Sequence, residues 1–264
     1  MPAVYVNGTH IHFRISGASS GCPLVFINSL GTDWRVWEHV AGRFPAAHPL
    51  LYHDKRGHGL SDLPAGPVSI HDHARDLAAL LDELGMAPAM ICGLSVGGMI
   101  ALALAAERPD TVRGLVLCDT GHRIGTPATW NQRIDTVNAG GMDAVADGVL
   151  ERWLSDAFRK AQPAEAAIWR NMLLRTPPVG YTATCAAIRD ADLTQAAQSL
   201  AMPALCLCGT LDQATPPELM RELSALIPDS RYHELAGAGH LPTVEKPDEV
   251  AERMQEFLEE LNIV

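Results

Sequence analysis

Residues 89–107 run from a short apolar segment through Gly93-Leu94-Ser95-Val96-Gly97-Gly98 into a helical stretch rich in Ala and Leu. Few local arrangements satisfy that succession. The apolar segment reads as a strand buried on both faces, and the small residues allow a tight turn straight into a helix. A serine at the apex of such a turn stands clear of the sheet edge. The free amides of the following helix N-terminus point at the same spot. This strand–turn–helix context, more than the Gly-x-Ser-x-Gly string itself, makes Ser95 a candidate nucleophile.

Strand-like segments recur along the chain. "AVYVNG" and "THIHFRISG" flank Asn7-Gly8, whose two positions tolerate positive φ, and predict a hairpin. "PLVFINS", "PLLYHD" and "VRGLVLCDT" read as buried strands, and residues 69–84 as an amphipathic helix capped by Ser69 and stopped before Gly85. Strands alternating with helices predict a mostly parallel central sheet covered by helices on both faces. The alternation lapses near residue 122. From there to about Leu200 only helical periodicity is found, broken at Gly140-Gly141, Pro163 and Pro177-Pro178. It resumes with "MPALCLCGTLD", "PPELMRELSALIP", "SRYHELAGAGH" and a terminal helix "KPDEVAERMQEFLEEL". We therefore expect an α/β core of residues 1–121 and 201–264, interrupted between two strands by an all-helical cap of residues 122–200.

A serine hydroxyl is a weak nucleophile without a positioned base. Of the 11 histidines, His240 stands where the chain leaves the last predicted strand, beside Gly237 and Gly239, which let the backbone bring it over the sheet edge. A third group must orient that imidazole. Asp212 in "CLCGTLDQATPP" follows the penultimate predicted strand in a loop that opens before a helix. Asp119, at the end of the preceding strand, is the rival acid. It is expected instead to cap the turn into the helical insertion.

"HDKRGHGLSD" at 53–62 carries D-x-R-G-x-G-x-S through Asp54, Arg56, Gly57, Gly59 and Ser61. With the Ser95 turn and the chain order Ser95, Asp212, His240, it resembles the α/β-hydrolase superfamily over nearly the whole chain. Most members carry His-Gly-x-Pro after the third strand, where this chain has Asn28-Ser29-Leu30-Gly31-Thr32-Asp33. "INSLGTDWRVW", "RIGTPATWNQRIDTV" and "GGMDAVADGVLERW" resemble the 3-oxoadipate enol-lactone hydrolases of aromatic catabolism. That resemblance implies a cofactor-free Ser-His-Asp reaction on an anionic lactone in a bacterial cytoplasm. It also implies an oxyanion hole made by the backbone amides of Leu30 and Val96. With its last residue at Val264, the chain resembles the stand-alone form of such enzymes more than a fusion.

The implied substrate bears a carboxylate, yet 20 Lys+Arg against 31 Asp+Glu leave this chain a formal net charge of −11. Its field repels small anions, so an arginine inside the pocket is needed as a local counterion. Arg133, with Trp130 one helical turn before it, is the expected grip, and Trp153 is expected to line the same pocket. A general carboxylesterase, a perhydrolase or a carbon–carbon bond hydrolase on the same fold is the alternative reading. A binding module without catalysis fits the full Ser95, Asp212, His240 set poorly.

Other function classes find little support. An acidic chain without a basic cluster is a poor binder of nucleic acid or anionic membranes, and no obligate protein partner is evident. No signal peptide and no apolar run of membrane-spanning length is visible. The six cysteines show no C-x-x-C spacing, and Cys206 and Cys208 read as core. His10 and His12, or His71 and His73, lack a third ligand, so no metal site is expected, and no nucleotide-binding glycine motif is present.

Overall fold

Asn7 and Gly8 both take positive φ, 47° and 75°, so the chain reverses within two residues between β1 (Ala3–Val6) and β2 (Thr9–Gly17). The computed structural model describes residues 1–44 and 48–263, so Val264 lies outside the described residues. The further strands are β3 (Leu24–Ile27), β4 (Pro49–His53), β5 (Ala89–Leu94), β6 (Val112–Cys118), β7 (Ala204–Gly209) and β8 (Ser230–Leu235). Among the described residues they form one eight-stranded sheet in the order β1-β2-β4-β3-β5-β6-β7-β8. The β1–β2 and β2–β4 pairs are antiparallel and every later pair is parallel. β3, β4, β5 and β7 are buried along their whole length, which is why their sequences are continuous apolar runs without alternation.

Helices α1 (Glu38–Ala41), α2 (Ile70–Leu84) and α3 (Val96–Glu107) belong to the first crossovers. α2 carries the full capping box: Asp72 N–H donates to Ser69 Oγ, and the Asp72 carboxylate accepts from the Ser69 amide at 2.8 Å. Gly85 ends it in the left-handed conformation. Helix α3 starts at Val96, ahead of the Met99 where its apolar pattern becomes visible, because Gly97 and Gly98 carry no hydrophobic signal. α3 is almost entirely buried, in keeping with its apolar sequence.

Between β6 and β7 lie α4 (Pro127–Gly140), α5 (Asp143–Trp153), α6 (Asp156–Ala161), α7 (Pro163–Leu174), α8 (Pro178–Asp190) and α9 (Thr194–Gln198). The chain then continues through α10 (Pro217–Leu226), α11 (Pro242–Glu245) and α12 (Pro247–Glu260). Six of these helices open on proline, whose fixed φ suits the first turn and whose missing N–H would have had no partner there. The 3-10 turn Trp34–Trp37 with α1, and α11, are too short for periodicity to announce.

The D-x-R-G-x-G-x-S stretch is scaffolding. The buried Asp54 carboxylate accepts from Trp34 N–H (3.0 Å), Leu60 N–H (3.0 Å) and His12 Nδ1 (2.9 Å). Arg56 pairs with Asp76 of α2 at 2.7 Å, and Ser61 Oγ donates to the Asp54 carbonyl at 2.5 Å. These bonds tie the loop after β4 to the loop after β3. Because β3 to β8 run parallel, the loops leaving β3, β5, β6, β7 and β8 gather along one edge, the usual place for a ligand site in such sheets.

Candidate active site

The turn after β5 holds Ser95 at φ 58° and ψ −119°, a conformation that costs a non-glycine residue roughly 1–3 kcal/mol. Packing enforces it. Ser95 N–H donates to the Cys118 carbonyl (2.9 Å), while the Ser95 carbonyl accepts from Thr120 Oγ1 (2.6 Å) and Gly98 N–H (2.8 Å). A Cβ on Gly97 would sit 2.5 Å from the Ile27 carbonyl oxygen, so only glycine lets the turn pass this close to β3.

Asp212 follows β7 and His240 follows β8. The Asp212 side chain is fully buried, and that of His240 is 3% exposed. One Asp212 oxygen accepts from Ala214 N–H (2.7 Å) and Thr215 N–H (3.1 Å). The other accepts from Thr215 Oγ1 (2.5 Å) and His240 Nδ1 (2.8 Å). Burial pushes this carboxyl up, but the His240 charge and hydrogen bond, with those from Thr215, hold it below the usual carboxylate range. An ionised carboxylate only accepts, so His240 Nδ1 carries a proton and Nε2 is left as the basic nitrogen. Ser95 Oγ makes no hydrogen bond among the described residues. It shares with His240 the wall of a single cavity of about 490 Å³.

Asp119 does not cap the turn into the helical insertion. It is wholly buried, and its Oδ1 accepts from Gly209 N–H of β7 at 2.8 Å. Burial, then the neighbouring Asp212 carboxylate, raise its pKa well above the usual range, so it stands as a protonated acid behind the ionised one. Asp119, Cys208 and Asp212 present ligand atoms within 4.8 Å of one another. A protonated carboxyl, a thiol that burial keeps protonated and a carboxylate already committed to four donors make a poor cation cage. His10 and His12 are likewise occupied, facing Asp62 (2.8 Å) and Asp54 (2.9 Å). Cys206 and Cys208 are buried in β7.

Leu30, after β3, and Val96, at the first turn of α3, flank the serine. Neither backbone amide makes a hydrogen bond among the described residues. The cavity is roofed by the cap: Trp130 and Arg133 of α4, Arg152 and Trp153 of α5 and Tyr181 of α8 line it together with Ser95, Leu30 and His240. Trp130 Nε1 donates to the Ile124 carbonyl at 2.6 Å, which fixes the ring, and the Arg133 guanidinium lies 5.3 Å from its centroid. Arg152 comes near Arg133; burial first, and then that neighbouring charge, lower its pKa. No ion pair involves either arginine among the described residues. Two cations thus converge on one wall of the cavity without a carboxylate between them. Arg152 and Thr215 escape a reading of motifs. The one signal for Arg152 is its place beside Trp153 in "LERWL", and for Thr215 its place three residues past an acid.

A family model for the α/β hydrolase fold matches residues 23–247, and the chain belongs to that family. It is 28% identical over 252 residues to 3-oxoadipate enol-lactonase 2 of Acinetobacter baylyi, covering 96% of this chain and 94% of that one. The crystal structure of the enol-lactonase from Burkholderia xenovorans is similar at a TM-score of 0.95 and 38% identity, over 98% of this chain and all of that one. A thermophilic esterase from Thermogutta terrifontis is similar at a TM-score of 0.91 and 28% identity, over 98% of this chain and 97% of that one. Among the described residues no helix is long and apolar enough to cross a membrane.

Proposed function

We propose that this chain is a serine hydrolase that opens 3-oxoadipate enol-lactone to 3-oxoadipate in aromatic-compound catabolism. The observation that carries the reading is Arg133, stacked over Trp130 and paired with no carboxylate among the described residues, on the same cavity as Ser95 and His240. Similarity to enol-lactonases at 28% and 38% identity supports it.

The substrate carboxylate sits against Arg133, with Arg152 adding positive potential. That local charge offsets a chain of net charge −11. The lactone carbonyl then lies over Ser95. His240 Nε2 takes the Ser95 proton as Oγ bonds to the carbonyl carbon, and Asp212 stabilises the imidazolium through Nδ1. The oxyanion accepts from the Leu30 and Val96 amides, each such donor contributing about 3–4 kcal/mol to the transition state.

Collapse breaks the ring C–O bond and expels an enolate, which leaves more readily than an alkoxide. His240 returns its proton, the enol becomes a ketone, and the chain remains as an acyl group on Ser95. Water, deprotonated by His240, cleaves that ester and releases a second carboxylate beside the two arginines. Nucleophile, base and oxyanion donors are all groups of the chain, so the reaction calls for no cofactor.

The test follows ultraviolet absorbance of freshly generated enol-lactone. Wild type consumes it, Ser95→Ala does not, and Arg133→Ala does so mainly with a raised KM. An Arg133→Ala variant with an unchanged KM would contradict the assignment.

A further inference from the structure

Lys55 follows β4, is 2% exposed, and makes no ion pair among the described residues. Its neighbours' charges are spent elsewhere: Asp54 on His12 and two amides, Arg56 on Asp76. Lys55 Nζ instead donates to two carbonyls of the loop after β3, Ser29 at 2.5 Å and Asn28 at 3.4 Å. Burying an amine is costly unless its hydrogens are well used, so its placement against two peptide oxygens calls for a reason.

The Ser29 carbonyl supplies one. It also accepts from Thr32 Oγ1 (3.1 Å) and Thr32 N–H (3.3 Å). Ser29 C=O and Leu30 N–H belong to one planar trans peptide, so they point in opposite directions. Donors gathered on the oxygen thereby fix the direction of the amide. The next two peptides are held as well: Gly31 N–H donates to His58 Nε2, in the same loop as Lys55, at 3.0 Å, and the Gly31 carbonyl of the peptide after it accepts from Thr176 Oγ1 of the cap at 3.1 Å. Leu30 N–H makes no hydrogen bond among the described residues.

We infer that Lys55 is a positioning residue for the oxyanion hole: by holding the Ser29 carbonyl it aims the Leu30 amide at the substrate oxygen and strengthens that amide as a donor. The inference rests on the serine-hydrolase reading above. Burial drives the ammonium well below the usual lysine range while Asp54 and Asp33 pull the other way, and either protonation state keeps a hydrogen for the carbonyl. A hydrogen bond donated to the carbonyl oxygen polarises the peptide and makes its N–H the stronger donor.

The experiment compares wild type, Ser95→Ala and Lys55→Met in enol-lactone turnover. It also compares affinity for an aryl boronic acid, which forms a tetrahedral adduct on the nucleophile, with affinity for the product 3-oxoadipate. Misdirecting such a donor, which falls short of the roughly hundred- to thousandfold cost of losing one, predicts for Lys55→Met a kcat lower by about ten- to a hundredfold with KM within about twofold. Boronate affinity should fall by a similar factor and 3-oxoadipate affinity should hold. Wild-type kcat and boronate affinity in Lys55→Met, or equal loss of boronate and product binding, overturns the inference. Turnover surviving in Ser95→Ala would instead defeat the underlying reading. If Lys55→Met does not fold, Thr32→Val, which strips another donor from the same carbonyl, should lower kcat and boronate affinity together by about two- to tenfold. No change there overturns the inference.

Discussion

Two carboxyls lie side by side behind His240, and their environments set them apart. Asp212 accepts four hydrogen bonds and stays ionised; Asp119 accepts one from Gly209 and keeps its proton. Removing the charge should therefore matter at one position and not at the other. Steady-state kinetics should show Asp212→Asn losing on the order of 10⁴ in kcat, as expected when the base is left in the wrong tautomer. Asp119→Asn replaces an already neutral group and should stay within about threefold of wild type, the scale of a single perturbed neutral hydrogen bond. Equal losses would mean that the acid is shared. Ser95 and Asp212 come forward as candidates because each follows a strand whose apolar run is unmistakable. His240 does so because it follows the last predicted strand beside Gly237 and Gly239, although that strand, Ser230–Leu235, is itself mostly polar. What Asp119 does is not readable in the sequence, since burial and the approach of β6 to β7 decide it.

At the scale of elements, the strand–turn–helix units are written locally: Asn7-Gly8, the Ser69 capping box with Gly85, and the proline starts each fix an element by themselves. The joint between cap and core is not, because it depends on residues far apart in the chain. Gly57, in the loop after β4, meets Gly180 of α8 backbone to backbone, and a Cβ on Gly180 would lie 2.0 Å from the Gly57 carbonyl oxygen. Backbone cannot yield as a side-chain tip can, so Gly180→Ala must move α8, which carries Tyr181 into the cavity. An overpacking penalty of about 1–3 kcal/mol is expected, lowering Tm by roughly 2–10 °C in a chain of this size, with a raised KM for the lactone. Calorimetry and kinetics on that variant check it; wild-type Tm and KM would show that the joint is loose. Arg152 escapes detection for a related reason, since its convergence with Arg133 requires α4 and α5 to be folded against each other.

At the scale of the whole molecule, the buried histidines give the fold its response to acid. Burial first, and then the nearby Lys55 charge, lower His53 and His73 from 6.5 to about 3. Between those values the unfolded chain holds protons that the folded chain refuses, so stability falls as pH drops from about 6.5 towards 3. His73→Gln should flatten that slope by about one proton in denaturant titrations across the window, and an unchanged slope would contradict the shift.

In the proposed reading the sheet edge supplies the chemistry and the cap selects the substrate. The most direct measurement of that division is the ratio of kcat/KM for the enol-lactone to kcat/KM for the same lactone with its side-chain carboxylate methylated, in wild type, Ser95→Ala and Arg133→Met. A charge-assisted contact predicts that wild type prefers the free carboxylate by about ten- to a hundredfold, that Ser95→Ala turns over neither, and that Arg133→Met loses the preference while keeping its activity on the neutral lactone. An Arg133→Met enzyme with the wild-type ratio would contradict the account.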